Sequence, residues 1–275
     1  MRSRILSSFL RHWRFVIPSC FVIRHSSFDM MDTAHLSFLF LSIGVIAFLY
    51  SSVGHAGASG YIAVMTLFGL VTTTIRPTAL VLNILVAIIA SFQFWRAGHF
   101  SWKLFWPFAL LSAPAAYFGG YLQLPTRILK IIIGLVLLFS AARLFFRRGD
   151  SPAVAPPPLP AALAVGSGIG FLSGLTGTGG GIFLTPLLLF SKWAKTKQAS
   201  AVSALFILVN SIAGLAGFVS ARQSIPALAF ILSAAAIIGG AIGSHLGSRK
   251  FPVRTISILL ATVLLIAGCK LIFTK

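Results

Sequence analysis

The chain contains no glutamate, and its only acids are Asp29, Asp32 and Asp150. Asp29 and Asp32 precede the first long apolar run, and Asp150 falls in a proline-rich stretch. No carboxylate therefore lies inside any apolar run. A cation or metal carrier offsets the charge of its cargo with intramembrane acids, and a carboxylate proton relay needs the same groups. Both are excluded on this ground. Cysteine is nearly as scarce. Cys20 and Cys269 lie far apart in sequence and suggest neither a disulfide framework nor a metal site.

Charge of any sign is in short supply. Charged residues make up 9% of the 275 positions and hydrophobic residues 57%. A soluble domain carries about 25% charged residues, so this chain has too few polar groups to cover a water-facing surface. Lipid is the solvent that removes the problem, and helices are the default way to span it, because open strands leave backbone groups unpaired there. The net charge of +19 does not point to nucleic acid. The basic residues sit in short clusters between apolar runs, such as Lys192, Lys195 and Lys197, or Arg249, Lys250 and Arg254. Loops beside membrane helices have this pattern, and anionic headgroups are their natural partners.

A helical span needs about 20 apolar residues. The runs 36–53, 78–95, 104–122, 127–146, 160–176, 198–220, 226–247 and 254–273 qualify, with shorter runs at 60–75 and 181–191. The expected fold is an all-α polytopic membrane protein of about eight transmembrane helices. Residues 1–30 hold five arginines and read as a basic extension, or as sequence ahead of a true start at Met30 or Met31. Residues 31–146 form a first transmembrane repeat, 147–159 a proline-rich linker, and 160–275 a second repeat. The repeats share their opening. Aligning Phe48 with Phe171 places Gly54 on Gly177 and Gly57 on Gly180. LPTRI at 124–128 parallels FPVRT at 251–255, and Asn83 has a rough counterpart in Asn210. If each glycine-rich element crosses the membrane once, the halves are parallel; if it dips and returns, they are inverted. The distribution of Lys and Arg over alternate loops leans towards inversion.

The run Gly177-Thr178-Gly179-Gly180-Gly181 is poor helix material, since each glycine costs about 1 kcal/mol against alanine. Adjacent glycines do not share a helix face, so packing explains them poorly. Gly166, Gly170 and Gly174 step by four and suit close packing, as do Gly239, Gly243 and Gly247. A broken helix exposes backbone N–H groups and aims the positive end of the following half-helix at the gap, which favours an anion. The first repeat offers Gly54, His55, Gly57, Ser59 and Gly60 in the corresponding place. His55 is the one titratable group in either cluster, read as a proton carrier, a donor to substrate or a histidine satisfied by a carbonyl. Asn83 and Asn210 either touch substrate or tie helices together. Ser59, Thr178, Thr185 and Ser203 are further hydroxyl donors. The expected partners are a small anionic substrate and the bilayer, with no nucleic acid, no cofactor and no metal; a homo-oligomer is compatible with the sequence. The function expected from this chemistry is a secondary transporter, a passive anion channel being its near relative and a structural or assembly protein the alternative. No nucleophile–base pair is visible, so an enzyme is not expected.

GLTGTGGGIFLTPLL at 174–188, SSVGHAGASGYIAVM at 51–65 and the duplicated layout resemble the sulfite exporter TauE/SafE family of membrane permeases. The resemblance implies a bacterial inner-membrane carrier for sulfite or a related sulfur-containing or organic anion. It also implies a site at Gly54, His55, Gly57, Ser59 and Gly60 with Gly177, Thr178, Gly179, Gly180 and Gly181. Ala56 and Ala58 depart from a fuller glycine run, which makes the first motif the less specific of the two.

Overall fold

A computed structural model describes residues 33–122, most of 134–146, and 154–273. The basic extension, all three aspartates, Cys20, LPTRI at 124–128 and most of the proline-rich linker lie outside the described residues. Every regular element among those residues is helical: α1 (Thr33–Ser52), α2 (Ala58–Leu67), α3 (Thr72–Arg96), α4 (Trp102–Tyr121), α5 (Leu159–Thr176), α6 (Gly181–Phe190), α7 (Thr196–Ser220), α8 (Leu228–His245) and α9 (Val253–Phe273). One π turn, Leu246–Lys250, extends α8.

Among the described residues, six helices are long and apolar enough to cross a membrane, namely α1, α3, α5, α7, α8 with its π turn, and α9. Eight crossings were the expectation. The expected span 127–146 is described only in part, and α4 is long but carries Trp102, Lys103, Pro107 and Pro114, which dilute its hydropathy. The two short runs become α2 and α6, each of ten residues. At 1.5 Å per residue each reaches about 15 Å, half the hydrocarbon thickness.

Small residues set the packing. A Cβ at Gly239, Gly243 or Gly247 would strike the α1 backbone at Gly44, Phe48 and Ser52 respectively, so α8 and α1 run side by side in the same direction. Gly166, Gly170 and Gly174 meet the α4 backbone at Phe108, Ser112 and Ala116 in the same manner, so α5 runs parallel to α4. Both series make the close backbone approach that their four-residue spacing predicts. α3 and α7 pack antiparallel, with Asn83 beside Ser211 and Leu80 beside Gly214.

Two apolar cores result. One joins α1, α2, α3 and α8 around Ile43, Tyr61, Leu82 and Leu232. The other joins α4, α5, α6, α7 and α9 around Phe108, Leu188, Phe206 and Leu260. Phe38, Leu41, Leu110 and Ile238 point outward from the bundle, where lipid is the fitting solvent.

One end of the bundle gathers the basic loops. His99 Nε2 sits 3.0 Å from the Ser248 carbonyl oxygen, and Lys197 Nζ donates to that oxygen at 3.5 Å. The end of α3, the start of α7 and the π turn after α8 therefore share this basic end. α1 finishes there, with Ser52 against Gly247, whereas α5 finishes at the opposite end with α4. The two glycine-broken elements thus run in opposite directions.

Candidate functional site

Each break begins where a glycine takes a left-handed conformation. Gly54 has φ +77° and lies against the backbone of Ser200; a Cβ there would be both strained and colliding. Gly177 has φ +76° and lies against Arg76, with 3.0 Å from an ideal Cβ to Arg76 Cγ. Ser200 is four residues into α7 from the basic end, and Arg76 is four residues into α3 from the other end. The chain restarts as α2 after Gly57 and as α6 after Gly180, both also at positive φ. Helix geometry leaves the first-turn N–H groups of α2 and α6 without intrahelical acceptors.

Asn83 touches both breaks. Its Oδ1 accepts the N–H of Ala58 at 3.0 Å, capping α2, and its Nδ2 donates to Ser211 at 3.4 Å. The same Nδ2 lies 2.8 Å from where a Cβ on Gly179 would stand, so only glycine admits this approach. Gly181 is closed off on its far side by Ile207.

His55 joins the first break to α6. Its Nε2 is 2.8 Å from Thr185 Oγ1, and Thr185 Oγ1 donates to Ser203 Oγ at 2.7 Å. A threonine hydroxyl has one proton, so with that proton directed at Ser203 the imidazole Nε2–H is the donor to Thr185. The ring lies beside the Gly181 backbone. All three side chains are buried.

The remaining expected residues serve the breaks less directly. Ser59 donates to Tyr50 Oη at 3.0 Å. Tyr61 Oη donates to the Ala56 carbonyl at 2.6 Å, and its ring closes on Gly57. Gly60 packs on Ile46 and Tyr50. Thr178 pairs with Thr176 at 2.9 Å. Asn210 departs from the symmetric pairing: it lies fourteen residues into α7, whereas Asn83 lies eleven residues into α3. The difference is about one helical turn, and Asn210 instead accepts from Ser112 of α4 at 2.6 Å.

Sequence reasoning passed over Arg76. It placed the start of that span at residue 78, on the far side of Pro77. The helix begins at Thr72, and Pro77 falls early in it. Arg76 Nη2 donates to the carbonyls of Gly119 at 3.0 Å, Gly120 at 3.1 Å and also Gly174, while Nη1 donates to Leu122 at 3.4 Å. One guanidinium thereby binds the C-terminal carbonyls of α4 and α5, next to the second break. A lone arginine two residues before an apolar run was the available signal. Lys270 Nζ, from α9, donates to the Ser59 carbonyl at 3.4 Å and brings a cation to the first break. Among the described residues there is no carboxylate side chain and no cluster of metal-ligating residues.

The profile of the family described as "Sulfite exporter TauE/SafE" matches residues 39–271. A probable membrane transporter protein of Sinorhizobium fredii, y4hK, is 41% identical over 248 residues, covering 88% of this chain and all of the relative. Probable membrane transporter proteins of Methanocaldococcus jannaschii (MJ0441) and Bacillus subtilis (YjnA) are each 28% identical, covering 70% and 80% of this chain and 76% and 92% of their own lengths. No solved structure matches significantly. With its family profile running from residue 39 to residue 271 and taking in both glycine breaks, this chain belongs to the sulfite exporter TauE/SafE family.

Proposed function

We propose that this protein is a secondary transporter that carries a small anion, of the sulfite, related sulfur-containing or organic class, past the two glycine breaks. The observation that carries the reading is a surplus of buried donors. Ser173 Oγ beside Gly180, Ser200 Oγ beside Gly54, Arg76 Nε beside Gly177 and Asn210 Nδ2 are buried without a hydrogen-bond partner, against one unpartnered acceptor at the breaks among the described residues, His55 Nδ1. Buried polar groups are ordinarily paired, and no carboxylate among the described residues is available to take them. An anion with several acceptor oxygens is the ligand that such a set satisfies. Two half-helix N-termini add backbone N–H groups and a favourable dipole. The binding groups are those of Gly54, His55, Gly57, Ser59, Gly60 and Asn83 on one side and Gly177 to Gly181 with Asn210 on the other.

The helices form two inverted repeats in this reading, α1–α4 with the helical residues described between 134 and 145, and α5–α9. Exchange of the repeats turns the α1–α8 contact into α5–α4 and maps α3–α7 onto itself, a correspondence that supports it. The breaks then lie towards opposite membrane faces, one at Ser200 and one at Arg76. Each serves as the gate to its own side in an alternating-access cycle.

Proteoliposome flux tests the reading. Sulfite, sulfate, thiosulfate, sulfoacetate and simple carboxylates are compared with a panel of cations, in wild type and in Gly179→Leu. Flux of at least one anion, abolished in the variant, is the expected result. Cation flux without anion flux, or wild-type anion flux in Gly179→Leu, overturns it.

A further inference from the structure

A second feature lies well away from the glycine breaks, at the basic end. A groove of about 490 Å³ opens between the last turns of α3 and the end of α8. Its apolar wall is Ile88, Ile89 and Phe92; its polar rim is Gln93, Arg96, His245 and Arg249. We propose that this groove binds an anionic phospholipid, with the phosphate between Arg96 and Arg249 and an acyl chain along the α3 wall.

Charge is the first argument. Arg96 and Arg249 line one groove and are both exposed, and no acid among the described residues offsets them. Two like charges in one cleft favour an anion between them, and guanidinium groups fit phosphate oxygens bidentately. Arg96 is already oriented, its guanidinium lying 5.6 Å from the centre of the Phe92 ring. Gln93 donates from Nε2 to the Ala241 carbonyl at 3.1 Å, yet its buried Oε1 has no partner. That leaves an acceptor for a headgroup hydroxyl. The π turn Leu246–Lys250 carries Arg249 to the rim.

Level and shape exclude a soluble anion as the better fit. Trp95 and Trp102 are more than half exposed on either side of the α3–α4 connection, and tryptophan marks the headgroup level of a bilayer. Ile88 and Phe92 are each about half exposed below them, which suits an acyl chain and not a hydrated ion. Among the described residues, the loops at this end carry Arg96, Lys103, Lys192, Lys195, Lys197, Arg249 and Lys250, against Arg222 in the α7–α8 connection at the other. Positive loops face the cytoplasm, so the groove lies in the leaflet whose surface is anionic.

The test measures thermal unfolding of the purified full chain in detergent, with added phosphatidylglycerol or cardiolipin, phosphatidylcholine of the same chains, or glycerol 3-phosphate. The two anionic lipids are expected to raise the unfolding temperature and phosphatidylcholine is not. Lipid titration of the Arg96→Gln/Arg249→Gln variant should require on the order of tenfold more anionic lipid for the same shift. Lys192→Gln/Lys195→Gln, which removes two charges from another loop at the same end, should titrate like wild type. Equal shifts from anionic and zwitterionic lipid overturn the proposal. An effect of glycerol 3-phosphate matching that of the lipid makes the groove a soluble-anion site and also overturns it. If the two double variants weaken the lipid effect equally, attraction is diffuse and the site falls.

Discussion

His55 and Thr185 are 130 residues apart in sequence and 2.8 Å apart in space. This contact ties the unwound segment after α1 to the half-helix α6 that follows the other break. Thr185→Val keeps the shape and removes the acceptor, leaving a buried imidazole donor unpaired. Such a loss costs about 1–3 kcal/mol. A lower unfolding temperature is expected for Thr185→Val and a near-wild-type value for Thr185→Ser, which retains the hydroxyl. Equal values for the two variants would show that the hydrogen bond contributes nothing.

Asn83 bears on the same junction from α3. Asn83→Leu uncaps α2 at Ala58 and removes the contact with Ser211, with an expected cost of about 1–2 kcal/mol. Asn83→Asp preserves the acceptor and so the cap, but places a carboxylate beside Gly179. If anions pass here, Asp lowers anion flux below that of the leucine variant while retaining more stability. Flux and unfolding, measured together on both variants, separate the cap from the transport role.

Much of this junction was legible in the chain, and the reasons are physical. Gly177 was found because clustered glycines oppose helix in an apolar run, and Gly54 because the repeats align it on Gly177. The packing glycines were found because a four-residue step keeps one helix face. Asn83 was visible as a lone amide, but its contact with both breaks was not, since it depends on α3 crossing α7. Asn83 and Asn210 are rough counterparts whose spacings differ by a few residues, and counted from the start of α7 the position that corresponds to Asn83 is Ile207. Arg76 was missed because Pro77 looked like a helix start, whereas proline is tolerated early in a helix that begins before it.

Gly54 and Gly168 make opposite predictions for the same substitution. Gly54→Ala places a Cβ at positive φ and against the Ser200 backbone, so a loss of more than about 1 kcal/mol is expected. Gly168 is mid-helix in α5 with nothing within 4 Å of an ideal Cβ. Gly168→Ala is expected to be neutral or to stabilise by about 0.4–1 kcal/mol through the unfolded state. Urea or thermal unfolding in detergent reads the sign of each directly.

Arg76 serves four carbonyls from two helix ends, a task that depends on the planar fork. Lysine carries the same charge but is a point donor on a flexible stem. Arg76→Lys is therefore expected to lose stability, and Arg76→Met to lose more, because several buried carbonyls then lack donors. If charge alone mattered, lysine would restore the wild-type unfolding temperature. Hydrogen exchange at the ends of α4 and α5 should rise in both variants and leave the basic end unchanged.

His99 lies between α3 and α4, outside the spans, and offers a pH prediction. Burial lowers its pKa below the ordinary histidine range, opposed by its bond to the Ser248 carbonyl and assisted by nearby Lys197. The neutral imidazole donates Nε2–H to that carbonyl. A base whose folded pKa is depressed binds its proton more weakly when folded than when unfolded. Its contribution is therefore fully present above the unfolded value of about 6.5 and is lost as pH falls through that value towards the folded one. Unfolding temperature should decline from pH 7 to pH 5 less steeply in His99→Gln than in wild type. A histidine-selective NMR titration should place the His99 midpoint below the ordinary histidine value of about 6.5. A midpoint at or above the ordinary value would mean that the loop is open to water and that Ser248 is not its partner.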